Sequence, residues 1–278
     1  MAVDGCYYLD QTKPFGMESL QMADVITGER PPVVVGGTGG SGTRAVARFL
    51  RRCGLDMGES NTVADALAFV DVLDKHINEV LRIVRGTNYD ASQLEESLRN
   101  SILQDYRAAA FRHKRGMAPN IRWGFKNPRH IFLLPLLDVA FPGAVFIHLV
   151  RDGRDMLLSE NKRQAVSHFE ALFGEPFTDS PADVARFWAA TNTGARAYGL
   201  RHLGARYINV RIEDLCGPEQ SSHIRTLAEL LGLNTKTALD RADKFELRES
   251  YGRGHLADIN IPPKVREEFS AALAEFQY

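Results

Sequence analysis

Apolar residues in this chain fall into two patterns, short β-branched runs and longer stretches that repeat every three to four positions. Pro31-Pro32 precedes Val33-Val34-Val35, a run that predicts a strand buried on both faces. Gly36 to Gly42 follow, and then Ala45, Val46, Phe49, Leu50 and Cys53 recur at helical spacing up to Gly54, a residue suited to ending a helix. Strand, glycine loop and helix in that order open an α/β fold with a parallel sheet.

Residues 62–116 predict helices whose apolar stripe runs through Leu67, Val70, Val72, Leu73, Ile77, Val80, Leu81 and Ile83. Three further strands are predicted at Ile121–Phe125, Ala144–Val150 and Tyr207–Val210, with helices between them. Residues 160–185, with Gly174, Pro176 and Pro181, read as a loop-rich insertion over the sheet edge. Residues 1–30 read as an irregular lead-in. No repeat or low-complexity linker divides the chain, which predicts one domain over 1–278.

Composition narrows the partners. A net charge of −1 gives no reason to expect nucleic acid, so any polyanion site must be a local patch. No stretch approaches the roughly 20 apolar residues of a membrane span. The first thirty residues carry acids and lack the apolar run of a signal peptide. Three scattered cysteines without ligand spacing point to reduced thiols, and together these features point to the cytoplasm.

The candidate chemistry begins in the glycine loop. Five of the seven residues from Gly36 to Gly42 are glycine, and Thr43-Arg44 follow. Such a loop lets the backbone approach a ligand closely, and the helix behind it offers free N–H groups and a positive dipole end to a phosphate. Gly37, Gly39 and Gly42 satisfy the dinucleotide fingerprint GxGxxG, which leaves an NAD(P)-dependent oxidoreductase open, with Asp56 or Glu59 as the acid it requires. The ATPase loop is a poorer match, because Thr43-Arg44 replace its lysine and hydroxyl. A second arginine, Arg151, ends the strand over 144–150, with Ser159 eight residues further on. If a helix starts after Arg151, Ser159 lies about two turns along it, and the two side chains can clamp another phosphate.

With these motifs in place, the chain resembles the sulfotransferases that use 3′-phosphoadenosine 5′-phosphosulfate (PAPS). Gly40-Ser41-Gly42-Thr43-Arg44 is similar to their 5′-phosphosulfate loop, and Arg151 through Ser159 to their 3′-phosphate motif. Trp123 through His130 resembles a lysine-bearing motif of bacterial members. Phe187-Trp188, Tyr207 to Leu215 and Ser250-Tyr251-Gly252-Arg253 are similar to later landmarks, so the resemblance spans residues 33–275.

The resemblance implies a three-layer α/β fold with a central parallel sheet flanked by helices, of the P-loop-like sulfotransferase kind. It also implies in-line transfer of a sulfonate from PAPS, without a metal, to a hydroxyl or amine of a small-molecule or carbohydrate acceptor. Gly39, Gly40, Ser41, Gly42, Thr43 and Arg44 then bind the 5′ end, and Arg151, Ser159, Gly252 and Arg253 the 3′-phosphate. Many relatives carry a lysine or arginine where this chain has Gly40. Either Arg44 or Lys126 supplies that charge, or the protein binds nucleotide without turnover. Residues 106–137 hold seven Lys/Arg and no acid, the field such a site needs. Glu59 and His130 are the two candidate general bases, His148 reads as a satisfied core histidine, and Glu213-Asp214 as caps of the helix after the last strand. Segments 60–120 and 160–185 are expected to form the acceptor pocket or its lid.

Overall fold

A computed structural model describes residues 30–242, 245, 252–254 and 260–278. Expectations for residues 1–29, and for Ser250 and Tyr251, lie outside the described residues.

Among the described residues the sheet has four parallel strands, β1 (Val33–Gly37), β2 (Gly124–Lys126), β3 (Val145–Val150) and β4 (Tyr207–Arg211), in the order β2-β1-β3-β4. Val33 pairs with Gly124 on one side and Val145 on the other, and Phe146 pairs with Tyr207. Every β1 residue is buried, as its unbroken apolar run predicts.

Alternation along the strands sorts the core into two faces. Val34, Phe125 and Phe146 face one apolar cluster, built largely on helices α2 (Val70–Val84), α3 (Glu96–His113) and α4 (Leu134–Ala140). Val33, Val35, Ile147 and Leu149 face the other, packed by α1 (Thr43–Arg52), α8 (Gln220–Leu230) and α9 (Thr235–Arg241). Helix, sheet and helix make the three layers. Between β3 and β4 lie α5 (Gly153–Leu157), α6 (Arg163–Phe173) and α7 (Pro181–Tyr198), and α10 (Pro263–Glu275) packs on α7.

Several sequence expectations need correction. Residues 160–185 are mainly helical, because Gly174 and Pro181 mark boundaries and not a loop body. Gly174 caps α6, while Ser180 accepts the Asp183 N–H at the start of α7, where Pro181 needs no donor. The predicted strand from Ile121 begins only at Gly124. Just before it, Trp123 pairs with Asp56 in a single parallel bridge. The stripe over 67–83 is also narrower than expected, since Leu67 and Ile83 are exposed. Glu213 and Asp214 cap no helix. Glu213 accepts from the Asp152 N–H and the Tyr278 hydroxyl, and Asp214 grips the Arg211 guanidinium.

The Asp56 bridge bears on the dinucleotide reading. In that fold the strand after the first helix lies beside β1, whereas here the bridge lies outside β2 and β1 has β2 and β3 as neighbours.

Candidate functional site

The carboxyl ends of β1, β2 and β3 carry Gly37, Lys126 and Val150, with Arg151 next in the chain. Open α/β sheets present their ligands at this edge. A cavity of about 760 Å³ opens there, walled by the glycine loop, one face of α1, the segment around Asp65, Lys126 to Arg129, and the start of α6.

The loop owes its shape to its own side chains. Ser41, fully buried, donates from Oγ to the Thr38 carbonyl at 2.8 Å and lies 2.9 Å from Thr38 Oγ1. Its hydroxyl therefore closes the turn from inside. Gly42 is the N-cap of α1 at φ 88° and supplies no side-chain cap, and no acid stands in the first turn. The leading N–H groups of a helix have no intrahelical acceptor, so at this end they remain available to an anion. Gly40, at φ +93°, lies in the left-handed region, and a Cβ there would come within 2.9 Å of Met156 Cε and 3.7 Å of Ser159 Oγ. The backbone conformation thus explains why glycine stands at this position.

Gln164, from α6, reaches into the same loop. Its Oε1 accepts the Gly39 N–H at 2.6 Å, and its Nε2 donates to the Gly37 carbonyl at 3.4 Å.

Lys126 is 3% exposed yet lines the cavity. Its ammonium donates to Asp65 Oδ1 at 2.6 Å and to the Val63 carbonyl at 3.0 Å. Burial lowers its pKa below the usual lysine value, the carboxylate beside it pulls the other way, and Arg44 and Arg48 add to the lowering. Asp65 reaches this place because the Ala66 N–H donates to the Lys126 carbonyl, and because Asn61 Oδ1 accepts the Val63 and Asp65 N–H groups.

Arg151, also buried, donates to Asp155 Oδ2 at 3.0 Å and to the Gly40 carbonyl at 3.4 Å, while its Nε has no partner. Asp155 is fully buried and accepts two more bonds, from the Gly252 N–H at 2.9 Å and the Gly254 N–H at 2.7 Å. One carboxylate therefore joins Arg151 to the segment that carries Arg253. Helix α5 has only five residues, so Ser159 lies beyond its end and not two turns along it. It still lies beside the loop, as its distance from Gly40 records.

Of the residues expected at the site, the structure gathers Gly39, Gly40, Gly42, Thr43, Arg44 and Lys126 on the cavity wall. Arg151 and Ser159 adjoin the loop from outside that wall. Glu59 is exposed and is not on the wall. His130 is fully buried among Phe69, Tyr106 and Phe125, with Tyr106 Oη at 3.2 Å from Nδ1, and burial pushes its pKa down to about 3. His148 bridges Tyr207 and Asn192 in the core. Asp65 and Gln164 escaped the sequence reading. Asp65 competed with Asp56 and Glu59 in one acidic loop, and its Asn61 turn is the only local sign that could have singled it out. No group of three or more metal-ligating side chains occurs among the described residues.

The whole arrangement is cationic. Arg44, Arg48, Arg52, Lys126, Arg129 and Arg163 stand on the wall against Asp65 and Glu160. An uncapped helix end, a buried lysine paired to a carboxylate and a strand-end arginine suit an oxyanion that is attacked or transferred.

Comparisons with known proteins agree with this geometry. The fold is similar to that of the sulfotransferase domain from the curacin biosynthetic pathway, at 15% identity and a TM-score of 0.54, over 90% of this chain and 99% of that one. It is likewise similar to the sulfotransferase domain from the Synechococcus PCC 7002 olefin synthase, at 16% identity and a TM-score of 0.53, over 90% and 96%. No curated protein sequence matches the chain. The profile described as "Sulfotransferase family" matches residues 31–237, most of the chain. By that match the chain belongs to the sulfotransferase family.

Proposed function

We propose that this protein transfers a sulfonate group from PAPS to a hydroxyl or amine of an acceptor bound in the same cavity. The observation that carries the reading is the meeting of the uncapped N-terminus of α1 with the Lys126–Asp65 pair on one cavity wall. Two buried polar atoms without partners, Arg151 Nε and Asn127 Nδ2, support the fit of a multiply charged nucleotide.

In this reading the amides of Gly42, Thr43 and Arg44 hold the 5′-phosphate. Gly39 and Gly40 let the backbone come close, while Ser41 only shapes the loop. Arg151, with Ser159, Gly252 and Arg253, holds the 3′-phosphate. Lys126 faces the sulfonate and the bridging oxygen, where negative charge grows as the sulfur–oxygen bond to the nucleotide breaks. Asp65 accepts the acceptor's proton on Oδ2, since Oδ1 is committed to Lys126. Asp65 takes this role in preference to Glu59, which is off the wall, and His130, which is sealed in an aromatic core. The atoms balance: the acceptor oxygen or nitrogen bonds to sulfur, 3′,5′-adenosine bisphosphate (PAP) departs, and the proton ends on Asp65.

Gly40 keeps a second reading alive, a protein that binds the nucleotide without turning it over. Calorimetric titration with PAP, followed by a turnover screen with PAPS and varied hydroxylated acceptors, separates the two. Binding and turnover are expected, and Arg151→Ala should weaken PAP by about 1.5–3 kcal/mol. Binding without turnover would establish the second reading, and absence of PAP binding would remove both.

A further inference from the structure

A loop with five glycines among the seven residues from Gly36 to Gly42 is costly to order, because glycine loses more conformational freedom on folding than any other residue. Two devices hold it. From inside, Ser41 ties back to Thr38. From outside, Gln164 lays its amide along the backbone, accepting the Gly39 N–H on Oε1 and donating from Nε2 to the Gly37 carbonyl. Its Cγ and Cδ also pack on Gly39, 3.5 and 3.6 Å from where a Cβ would stand. Gln164 is 8% exposed and lines the cavity beside Gly39, Gly40 and Gly42.

The helix behind Gln164 is the firmer partner. Asn78, on α2, donates from Nδ2 to the Ser167 carbonyl at 3.0 Å, an orientation that turns Oδ1 to accept the His168 Nδ1–H at 2.7 Å. Arg85, at the end of α2, donates to the Ala171 carbonyl at 3.0 Å. Ala165, Phe169 and Leu172 bury the inner face of α6 in the core. A helix fixed at so many points along its length holds the loop, and the loop does not hold the helix.

We infer that Gln164 is a positioning residue for the donor, fixing the backbone from Gly37 to Gly39 so that the amides at the start of α1 are in place before the 5′-phosphate arrives. Nucleotide binding is stronger by the ordering that the loop no longer has to undergo. The Gly39 N–H is committed to Gln164, which leaves the phosphate to the later amides. The inference rests on the proposed donor site, because it names what shapes the loop for that ligand.

The test compares two nucleotides titrated calorimetrically into intact protein: PAP, which carries the 5′-phosphate, and adenosine 3′-phosphate, which lacks it. Gln164→Met keeps the length of the side chain but neither hydrogen bond. It should weaken PAP about tenfold and leave adenosine 3′-phosphate within about twofold. Exchange of the Gly39 amide proton with solvent, followed by NMR in the free protein, should quicken about tenfold in the variant. Gln164→Asn, one carbon shorter and unable to span both groups, gives the same readouts if Gln164→Met does not fold. Unchanged PAP affinity, an equal loss for both nucleotides, or unaltered Gly39 exchange overturns the inference and leaves the donor reading intact. Failure of PAP to bind the parent protein is the separate defeat of that reading.

Discussion

The ammonium of Lys126 lies 2.6 Å from Asp65 Oδ1, at the end of a strand and on the same cavity wall as a helix N-terminus that has no side-chain cap. Burial lowers the lysine pKa and Asp65 raises it. A cation needed for transfer is lost as pH rises through that lowered pKa, so turnover should fall at a pH below the ordinary lysine value of about 10.4. Asp65→Asn removes the opposing carboxylate. The alkaline limb should then move to lower pH, and kcat should drop about 10²–10⁴-fold with the proton acceptor gone. A pH–rate profile of parent and variant checks both shifts. A variant with unchanged kcat would take the base role from Asp65.

Much of this was readable in the chain, and the reason differs by element. β1 and β3 follow proline or glycine signals as apolar runs, interrupted in β3 only by His148, so local chemistry alone specifies them. The glycine loop was legible because left-handed positions such as Gly40 and Gly42 call for glycine. Arg151 was visible as the residue that ends β3. Its partner Asp155 was visible too, but not that its two oxygens reach Gly252 and Gly254, about a hundred residues away. Asp65 was hidden for the same reason, since its position depends on a backbone bond from Ala66 to Lys126. The helix at 163–173 was missed because its flanking Gly174 and Pro181 outweighed an amphipathic pattern of Ala165, Phe169 and Leu172.

Asp155 should prove a positioning residue. It is fully buried, and its charge compensates Arg151 while both of its oxygens accept backbone N–H groups. Asp155→Asn leaves a buried arginine without its counterion, which costs about 3–5 kcal/mol. Thermal unfolding should fall accordingly, and PAP affinity should drop roughly tenfold as Arg151 loses its orientation. A lower Tm with unchanged PAP affinity would confine Asp155 to a structural role.

Gly40 is held by backbone conformation. At φ +93° a side chain is strained, and its Cβ would press on Met156 Cε. Gly40→Ala should cost about 1–2 kcal/mol, seen as a Tm lower by roughly 2–8 °C. Gly40→Lys, which installs the cation that the family resemblance leads one to expect in this loop, should be at least as unstable and should not raise kcat. A stable, faster Gly40→Lys protein would show that Lys126 does not supply the missing charge.

Three buried histidines predict how the fold responds to acid. Burial pushes the pKa of His130 down to about 3, and those of His148 and His168 to about 4. His148 shows how the neutral ring is used. Asn192 Nδ2 donates to the Trp188 carbonyl, which turns Oδ1 toward His148, so Nε2 carries the proton and Nδ1 accepts from the Tyr207 hydroxyl at 2.5 Å. The unfolded chain binds protons at these rings as pH falls through about 6.5, and the folded chain does not until about 4 or below. The unfolded state therefore holds more protons throughout that window, and stability is lost as pH falls. Each ring contributes a slope of up to about 1.4 kcal/mol per pH unit, or about 4 for the three together. Urea midpoints measured between pH 7 and 4.5 should fall steeply below pH 6.5. His148→Gln, which can still donate to Asn192 and accept from Tyr207, should remove about a third of the slope. A flat profile for the parent, or a variant slope equal to the parent's, would mean that these rings do not stay neutral in the folded core.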